Sequence, residues 1–318
     1  MQKRIITLTL NPVIDKSVSV AGISPNTKLR CTSPIYDAGG GGINVSRAVK
    51  KLGEESLCIY LAGGPTGLHL KQILDKIGID QIAVPIRGWT RDNLAVTDTT
   101  TNLQYRFGVP GPQVEKEEWE TLLIKLEENL KEGDYLVASG KLPPGMPDDF
   151  YVHIADLALK KNSRFVLDTS GEALVKATKS KVFMLKPNLG ELSSLCGVTS
   201  ITAMELEPLA KKFLAEHDCE ILVVSLGAKG ALLATRDLME HIPAPTVQQK
   251  STIGAGDSMV AGMVVSLLRG KTYSEMVKYG VACGTAATMY EGTQLCNKED
   301  ADNLYKWIQN QTNEPIKS

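Results

Sequence analysis

The sequence alternates short, nearly continuous apolar segments with longer amphipathic ones, and this alternation limits the possible folds more than any other feature. The apolar segments have the length and pattern of strands buried on both faces, and they lie at 4–10, 57–62, 134–138, 164–168, 182–185 and 220–225. Helices are predicted at 44–52, 67–77, 115–131, 148–161, 171–179 and 202–216, and in the C-terminal third at 255–269, 273–290 and 298–309. Repeated βα units predict a three-layer αβα fold, in which helices cover both faces of a mostly parallel sheet.

Two segments, 15–36 and 92–109, break this alternation. Their polar and apolar residues alternate one by one, as in Tyr105-Arg106-Phe107-Gly108-Val109, which is typical of half-exposed antiparallel strands. We interpret them as a small second sheet that acts as a lid. The predicted organisation is one domain over 1–312 with a discontinuous β lid, followed by a frayed tail at 313–318.

The composition excludes several classes of protein. The 35 basic and 36 acidic residues leave a net charge of −1, which argues against a nucleic-acid or anionic-membrane partner. No apolar run approaches the ~20 residues of a membrane-spanning helix. The six cysteines are scattered without a C-x-x-C pair and the four histidines are dispersed, so neither a disulfide framework nor a zinc site is indicated. We expect a cytoplasmic protein.

The most informative segment is 251–258, in which Gly254-Ala255-Gly256-Asp257 leads into an apolar helix. Free N–H groups at a glycine-lined helix start form an anion site. Asp257 lies on the first turn beside that site. A carboxylate next to an anion hole is what a kinase requires, since the carboxylate can accept a hydroxyl proton while the amides hold the phosphoryl group. The alternative is a helix cap, because Asp is favoured in first turns.

A second glycine-rich segment, Gly39-Gly40-Gly41-Gly42, leads into another helix. A turn needs one or two glycines, so four suggest that the backbone closely approaches a ligand. Asn44 at the helix start could bind a polar substrate, or it could simply be the N-cap.

A third segment, Lys186-Pro187-Asn188-Leu189-Gly190-Glu191, joins a strand to a helix. Asn188 and Glu191 share a helical face, and their oxygens suit Mg²⁺ that keeps several waters. They could equally form a capping box. Two common nucleotide motifs are absent: Gly270-Lys271-Thr272 lacks the P-loop glycine at 265, and no G-x-G-x-x-G follows the first strand.

These three segments together resemble the PfkB (ribokinase-like) carbohydrate kinase family, in an order and spacing that extend from Thr7 to about Cys296. The resemblance implies a ribokinase-like fold, with Asp257 as catalytic base and Gly254, Ala255 and Gly256 as the anion hole. It implies that the sugar hydroxyls are held by Asp15, Gly39, Gly40, Asn44 and Ser139. The sugar phosphate would be bound by residues of the lid segments, namely Lys28, Arg30, Arg91 and Arg106.

The resemblance also implies a nucleotide site and two cation sites. ATP would be bound by Lys186, Asn188, Ser225, Gly227, Gly230, Thr252, Val281 and Thr285. Mg²⁺ would be organised through water by Asn188 and Glu191. A monovalent cation such as K⁺ would be held by carbonyls around Ser251, Ile253 and 287–294, although Ser251 replaces the Asp of many relatives. Family members often form homodimers through their lid sheets, so we expect one here.

Within the family, the stretches 8–12, 28–32, 89–94 and 104–107 are most similar to the PfkB-type 6-phosphofructokinases. That similarity implies ATP-dependent phosphorylation of the C1 hydroxyl of fructose 6-phosphate, a step of glycolysis. Tagatose-6-phosphate kinases and 1-phosphofructokinases are the alternatives, and they usually carry Lys at the position of Gly41. An alternative of another class is a non-catalytic sugar-phosphate-binding regulator, against which Asp257 argues because binding alone needs no base. The segment 24–36 contains Lys28 and Arg30 but no acid, which independently indicates an acidic ligand.

Overall fold

The computed structural model describes residues 3–313. The strands are β1 (Ile5–Thr9), β2 (Val13–Val20), β3 (Ile35–Gly39), β4 (Ser56–Ala62), β5 (Asp80–Pro85), β6 (Arg91–Asp98), β7 (Leu103–Phe107), β8 (Tyr135–Ser139), β9 (Arg164–Asp168), β10 (Val182–Leu185), β11 (Cys219–Ser225), β12 (Ala231–Ala234) and β13 (Met239–Ile242). The helices are α1 (Gly41–Lys51), α2 (Gly64–Lys76), α3 (Lys116–Asn129), α4 (Phe150–Lys160), α5 (Glu172–Ala177), α6 (Leu189–Leu195), α7 (Ala203–Glu216), α8 (Ala255–Leu268), α9 (Tyr273–Thr288) and α10 (Lys298–Asn313). Only the first residue of the predicted tail, Asn313, is described, as the last residue of α10. The rest of the predicted tail, 314–318, lies outside the described residues.

The main sheet confirms the three-layer prediction. Its nine strands have the order β13-β12-β11-β10-β9-β8-β1-β4-β5, and the seven strands from β11 to β5 are parallel. Strands β12 and β13 extend one edge in antiparallel pairing. The six predicted strands all belong to this sheet, and α6 begins where the segment 186–191 was predicted to join a strand to a helix. Strands β5, β12 and β13 were not predicted. Strand β5 is mostly half-exposed and the other two have four residues each, so their sequence patterns are weak.

Two large apolar cores lie on opposite faces of the main sheet, and a third, smaller cluster packs Cys58 and Tyr60 of β4 against α2. Strand β1 contributes to both large cores, since Ile6 and Leu8 pack beneath α3–α7 while Ile5 packs beneath α1 and α8–α10. Each such side chain stabilises the fold by about 1.5–3 kcal/mol. Helix α8 is buried at every position from Ser258 to Leu267 because it lies between the sheet and α9. The first turn of α8 is therefore held in place by a tightly packed helix.

The small sheet is separate from the main one, as predicted, and has the order β3-β2-β6-β7. Its outer pairs are antiparallel, but the central pair is parallel, from Val13 opposite Arg91 to Val20 opposite Asp98. The prediction of antiparallel strands alone was therefore wrong. Strands β1 and β5 run parallel in the main sheet, and each is followed by a strand of the small sheet, so β2 and β6 start in the same direction. The alternation of polar and apolar side chains indicates which face of a strand is buried, but it does not indicate the direction in which the strand runs.

Two further features of the described residues concern membrane-spanning helices and cysteines. In the described part of the chain, no helix is both long enough and apolar enough to cross a membrane. All six cysteines are free thiols, four of them buried.

Candidate active site

The carboxyl ends of adjacent parallel strands bring polar side chains together at one edge of the main sheet. Ser139 ends β8, Asp168 ends β9, and Lys186 directly follows β10. The small sheet and the N-terminus of α8 face the same edge. Ligands of open α/β sheets bind outside the carboxyl ends of the strands, so this edge is the expected place for a site.

Asp257 lies on the first turn of α8 and is held by two side chains from other elements. Asn44 Nδ2 donates to its Oδ2 at 3.0 Å, and Ser139 Oγ donates to its Oδ1 at 3.1 Å. The N-cap of α8 is Gly254, whose φ of 73° favours glycine, and no side chain caps the helix. Asp257 therefore does not act as a cap, which was the structural alternative for this residue.

Burial raises the pKa of Asp257 to about 6, and the negative charge of Asp168 acts in the same direction. The hydrogen bonds from Asn44 and Ser139 and the charge of Lys186 oppose this rise. A carboxylate with a pKa just below neutrality is ionised at pH 7 and still accepts a proton readily. That combination suits a general base.

Lys186 and Asp168 form a nearly buried ion pair beside the N-terminus of α8. Nζ of Lys186 lies 3.1 Å from Oδ1 of Asp168, and only 6% of the lysine side chain is exposed. Burial acts to lower the pKa of Lys186, but Asp168, with Glu191 and Asp257, outweighs it and raises that pKa. A β-carbon on Gly256 would lie 3.8 Å from Nζ. The ammonium group therefore stays charged next to the predicted anion hole.

Asp168 is a site residue that the sequence patterns did not single out. Its carboxylate touches Lys186 and is near enough to raise the pKa values of both Asp257 and Glu191. The available signal is its position, since it is the acidic last residue of a predicted parallel strand, 164–168.

Asn188 and Glu191 form the capping box that was the structural alternative for them. Glu191 Oε2 accepts from the backbone N–H of Asn188 at 2.8 Å, and Asn188 Oδ1 accepts from that of Glu191 at 2.9 Å. Within residues 3–313, no three His, Cys, Asp or Glu side chains group closely enough to hold a metal by themselves. A metal here would need phosphate or water oxygens as further ligands, which is common for Mg²⁺.

Two cavities open on either side of the loop 252–256. The first, of about 510 Å³, lies under the small sheet, where Asp15, Asn93 and Arg106 line it together with Ile253 and Thr293. The second, of about 320 Å³, contains six of the predicted nucleotide-binding residues, namely Ser225, Gly227, Gly230, Thr252, Val281 and Thr285. The segment that begins α8 therefore borders both cavities.

Two of the four glycines at 39–42 lie so close to other parts of the protein that a side chain would not fit. A β-carbon on Gly41 would fall within 3 Å of the side chain and backbone of Ser139, and one on Gly42 within 3 Å of Leu8 and Thr9. Gly41 and Gly42 are therefore needed for the close packing of α1 against β8 and β1, while the role of Gly39 and Gly40 in holding sugar hydroxyls stays a prediction. Gly40 is the N-cap of α1, and Asn44 lies inside the helix, so Asn44 is not an N-cap either.

The predicted sugar-binding residues are only partly brought together. Asp15 is held by Asn93 Nδ2 at 3.1 Å, and burial raises its pKa while Asn93, Arg91 and Arg106 oppose the rise. Gly39 lies directly against Asp15. Arg91 donates to the carbonyls of Val109 at 3.3 Å and Asn11 at 3.2 Å.

Lys28 and Arg30 lie on the exposed connection between β2 and β3 and do not line the first cavity. Of the four predicted phosphate contacts, only Arg106 is among the residues that line the first cavity.

The predicted monovalent-cation segments do meet. Ser251 Oγ donates to the carbonyl of Gly292 at 3.1 Å and accepts from the N–H of Ile253 at 3.2 Å. The N–H of Ser251 donates to the carbonyl of Thr288 at 3.2 Å. Carbonyls of 288–292 therefore lie beside the loop 251–253.

A parallel sheet with this small second sheet, and with a carboxylate on the first turn of α8, defines a ribokinase-like kinase fold. A family profile described as "pfkB family carbohydrate kinase" matches residues 5–300. The chain belongs to this family.

Individual relatives extend over almost the whole chain. ATP-dependent 6-phosphofructokinase isozyme 2 of Mycobacterium tuberculosis is 39% identical over 303 residues, which are 95% of this chain and 89% of that protein. The crystal structure of phosphofructokinase-2 from Escherichia coli in complex with potassium has a TM-score of 0.93 and 38% identity, covering 96% of this chain and 99% of that one. A 1-phosphofructokinase of Bacillus subtilis is 34% identical over 287 residues, which are 90% of this chain and 93% of that protein.

Proposed function

We propose that this chain transfers the γ-phosphoryl group of ATP to the C1 hydroxyl of fructose 6-phosphate. The observation that carries the proposal is the position of Asp257, a carboxylate with a raised pKa that directly follows the loop 252–256, whose residues line both cavities. A proton acceptor and a set of helix N–H groups at the same point serve the two halves of phosphoryl transfer.

In this proposal the first cavity holds the sugar phosphate and the second holds ATP. Asp257 accepts the C1 hydroxyl proton, and the amides of Gly254, Ala255 and Gly256 hold the transferring group. Asp15, Gly39, Gly40, Asn44 and Ser139 orient the sugar, and Arg106 and Arg91 receive its phosphate. Lys28 and Arg30 contribute when their exposed connection closes over the bound sugar. Lys186 and Asn188 hold the nucleotide phosphates.

The cations are part of the same proposal. Mg²⁺ on the nucleotide would neutralise phosphate charge and be held through water near Glu191, whose Oε2 is already used by its capping box. Lys186 pairs directly with Asp168, whereas neither Glu191 nor Asp257 forms a direct ion pair within the described residues, which favours a cation there. K⁺ would be held by the carbonyls near Ser251 and Ile253.

Fructose 6-phosphate is preferred over fructose 1-phosphate and tagatose 6-phosphate for two reasons. The 6-phosphofructokinase of M. tuberculosis is more similar to the chain than the 1-phosphofructokinase of B. subtilis. In addition, any side chain at Gly41 would strike Ser139, so the lysine of the alternative kinases has no room here. A non-catalytic regulator is disfavoured, because a carboxylate whose pKa is raised by burial costs stability that binding alone does not require.

The small sheet offers a surface for a second copy of the chain. Leu103 and Tyr105 of β7 point to the face opposite Arg106, with 58% and 42% of their surfaces exposed, whereas Phe107 at the end of this strand lines the first cavity. We place the homodimer contact on this apolar face, which leaves the cavity face of the sheet for the sugar. The free cysteines suit a cytoplasmic location.

The activity is tested by incubating the purified chain with ATP, Mg²⁺ and each of the three sugar phosphates, and measuring ADP and the bisphosphate product. Fructose 6-phosphate should give the highest kcat/KM. If fructose 1-phosphate or tagatose 6-phosphate gave a higher value, the substrate assignment would be wrong, and if no sugar were phosphorylated, the regulator would replace the kinase.

The dimer is tested by sedimentation of the native chain and of Leu103→Lys. The native chain should sediment as a dimer and the variant as a monomer. Met204→Lys is the matched control, since Met204 is 88% exposed but lies on α7 in the main domain. A monomeric native chain, or a dimer unaffected by Leu103→Lys, contradicts the proposed contact.

A further inference from the structure

Arg47 is a cation of α1 that lies close beneath the site and that the proposed reaction does not use. Only 14% of its side chain is exposed. Burial lowers the pKa of its guanidinium group, while three carboxylates, Asp37, Asp15 and Asp257, act in the opposite direction. Arg47 is thus a positive charge near three carboxylates of the site, and each of these carboxylates belongs to a different element.

The guanidinium group of Arg47 makes three directed contacts. Nη1 donates to the carbonyl of Ala38 and, at 3.3 Å, to Oδ1 of Asn44. Nη2 lies 3.4 Å from Oδ1 of Asp37, whose other oxygen accepts from Thr293 Oγ1 at 3.0 Å. The planar group therefore connects α1 to β3 and, through Asp37, to the loop before α10.

The contact with Asn44 bears on the catalytic base. An asparagine amide has an acceptor oxygen and a donor nitrogen that can exchange places when the group rotates. Here the oxygen is engaged by Arg47, so the nitrogen is directed at Oδ2 of Asp257. If the oxygen turned toward Asp257 instead, two acceptors would face each other and the hydrogen bond would be lost.

We propose that Arg47 is a positioning residue for Asp257: it fixes the amide of Asn44 so that this amide holds the carboxylate of Asp257 toward the sugar hydroxyl. The inference rests on the proposed kinase function. It assigns Arg47 no contact with either substrate, so its removal should lower kcat while the KM for ATP stays near that of the native chain.

A purely structural role for Arg47 makes a different prediction. If the residue only tied β3 to α1, its loss would lower the thermal midpoint and loosen the sugar cavity, while kcat at saturating substrates would be unchanged. The matched control is Arg269→Met, because Arg269 also joins helices through Glu54 at 2.9 Å and the carbonyl of Leu52 at 3.2 Å, but at the far end of α8.

The experiment measures kcat, both KM values and the thermal midpoint for native chain, Arg47→Met, Arg47→Lys and Arg269→Met. We expect Arg47→Met to lower kcat at least tenfold. Arg47→Lys keeps the charge that faces Asp37 and Asp15 and so favours folding, but a single ammonium group cannot also reach Asn44, so kcat should still fall severalfold. Arg269→Met should lower the thermal midpoint without lowering kcat.

The path through Asn44 is tested by combining Arg47→Lys with Asn44→Ala. Once the amide is gone, the second change should lower kcat by less than twofold further. If the two effects multiply, or if Arg47→Lys has native kcat, the inference is wrong. A native chain that phosphorylates no sugar contradicts the proposed function itself, so the two failures are distinguishable.

Discussion

Asn44 Nδ2 lies 3.0 Å from Asp257 Oδ2, although 213 positions separate the two residues in the sequence. The contact joins the glycine-rich start of α1 to the glycine-rich start of α8. Each of these helix starts was predicted from local sequence as part of a ligand site, and the contact places the two predicted segments side by side.

Asp257→Asn is the most direct test of the base. Asparagine keeps the size of the side chain and can bond both Asn44 and Ser139, but it cannot take a proton as a carboxylate does. We expect kcat to fall at least ~100-fold, within the range that general bases contribute. The measurement is steady-state turnover at saturating fructose 6-phosphate and ATP.

The control for folding in that variant is its stability as a function of pH. Because the pKa of Asp257 is raised in the folded state to about 6, ionisation of this group destabilises the native chain progressively as pH rises from about 4 to about 6. Asp257→Asn should therefore be at least as stable as the native chain at pH 7.5. Near-native turnover in this variant would remove Asp257 from the mechanism.

The pH profile offers a second test of the same group. Since Asp257 must be ionised to accept a proton, kcat/KM should rise with pH through about 6 and level off above it. Ser139→Ala removes a hydrogen bond that lowers this pKa, so the rise should move to higher pH by roughly 0.4–1 unit, the equivalent of one such bond. A shift to lower pH, or none, would show that another group limits the rate.

Gly41→Ala tests whether the close approach of α1 to Ser139 is needed. The new methyl group would fall within 3 Å of Ser139, so we expect a loss of about 1–3 kcal/mol in unfolding free energy, together with lower kcat. Gly190→Ala is the matched control near the start of another site helix, where the methyl group meets only Asn188 Oδ1 at 3.4 Å. Denaturant unfolding of both variants checks the difference, and equal effects would contradict it.

Arg106→Ala tests the sugar-phosphate site. Loss of one charge-assisted phosphate contact should raise the KM for fructose 6-phosphate by about 10- to 150-fold, corresponding to ~1.5–3 kcal/mol. The KM for ATP should stay the same, because Arg106 lines only the first cavity. Arg236→Ala, an exposed change near β12, is the control, and an unchanged KM in the Arg106 variant would show that other cations bind the phosphate.

The sequence predicts those features of the fold and the site that depend on residues close together along the chain. The αβα layers, the start of α8 and the box formed by Asn188 and Glu191 follow from local periodicity and helix-start signals. Asp168 and Arg47 do not, because their importance depends on which strands and helices lie side by side. The pairing of Asp168 with Lys186 requires β9 to lie next to β10, and the contact of Arg47 with Asn44 matters only once α8 presents Asp257.

The parallel pairing of β2 with β6 has a consequence for how the molecule folds. Asp15 and Asn93 face each other across this pair from positions 78 residues apart, and the chain between them builds β4, β5 and the helices that precede them. Pairs so distant along the chain close at a high entropic cost, which falls only after the intervening segment has become compact. Strand β2 follows β1 and β6 follows β5, and these two are joined through β4 in the main sheet. We therefore expect the roof of the first cavity to form after β1, β4 and β5 have paired, and a chain that has formed only these pairs could not yet retain a sugar.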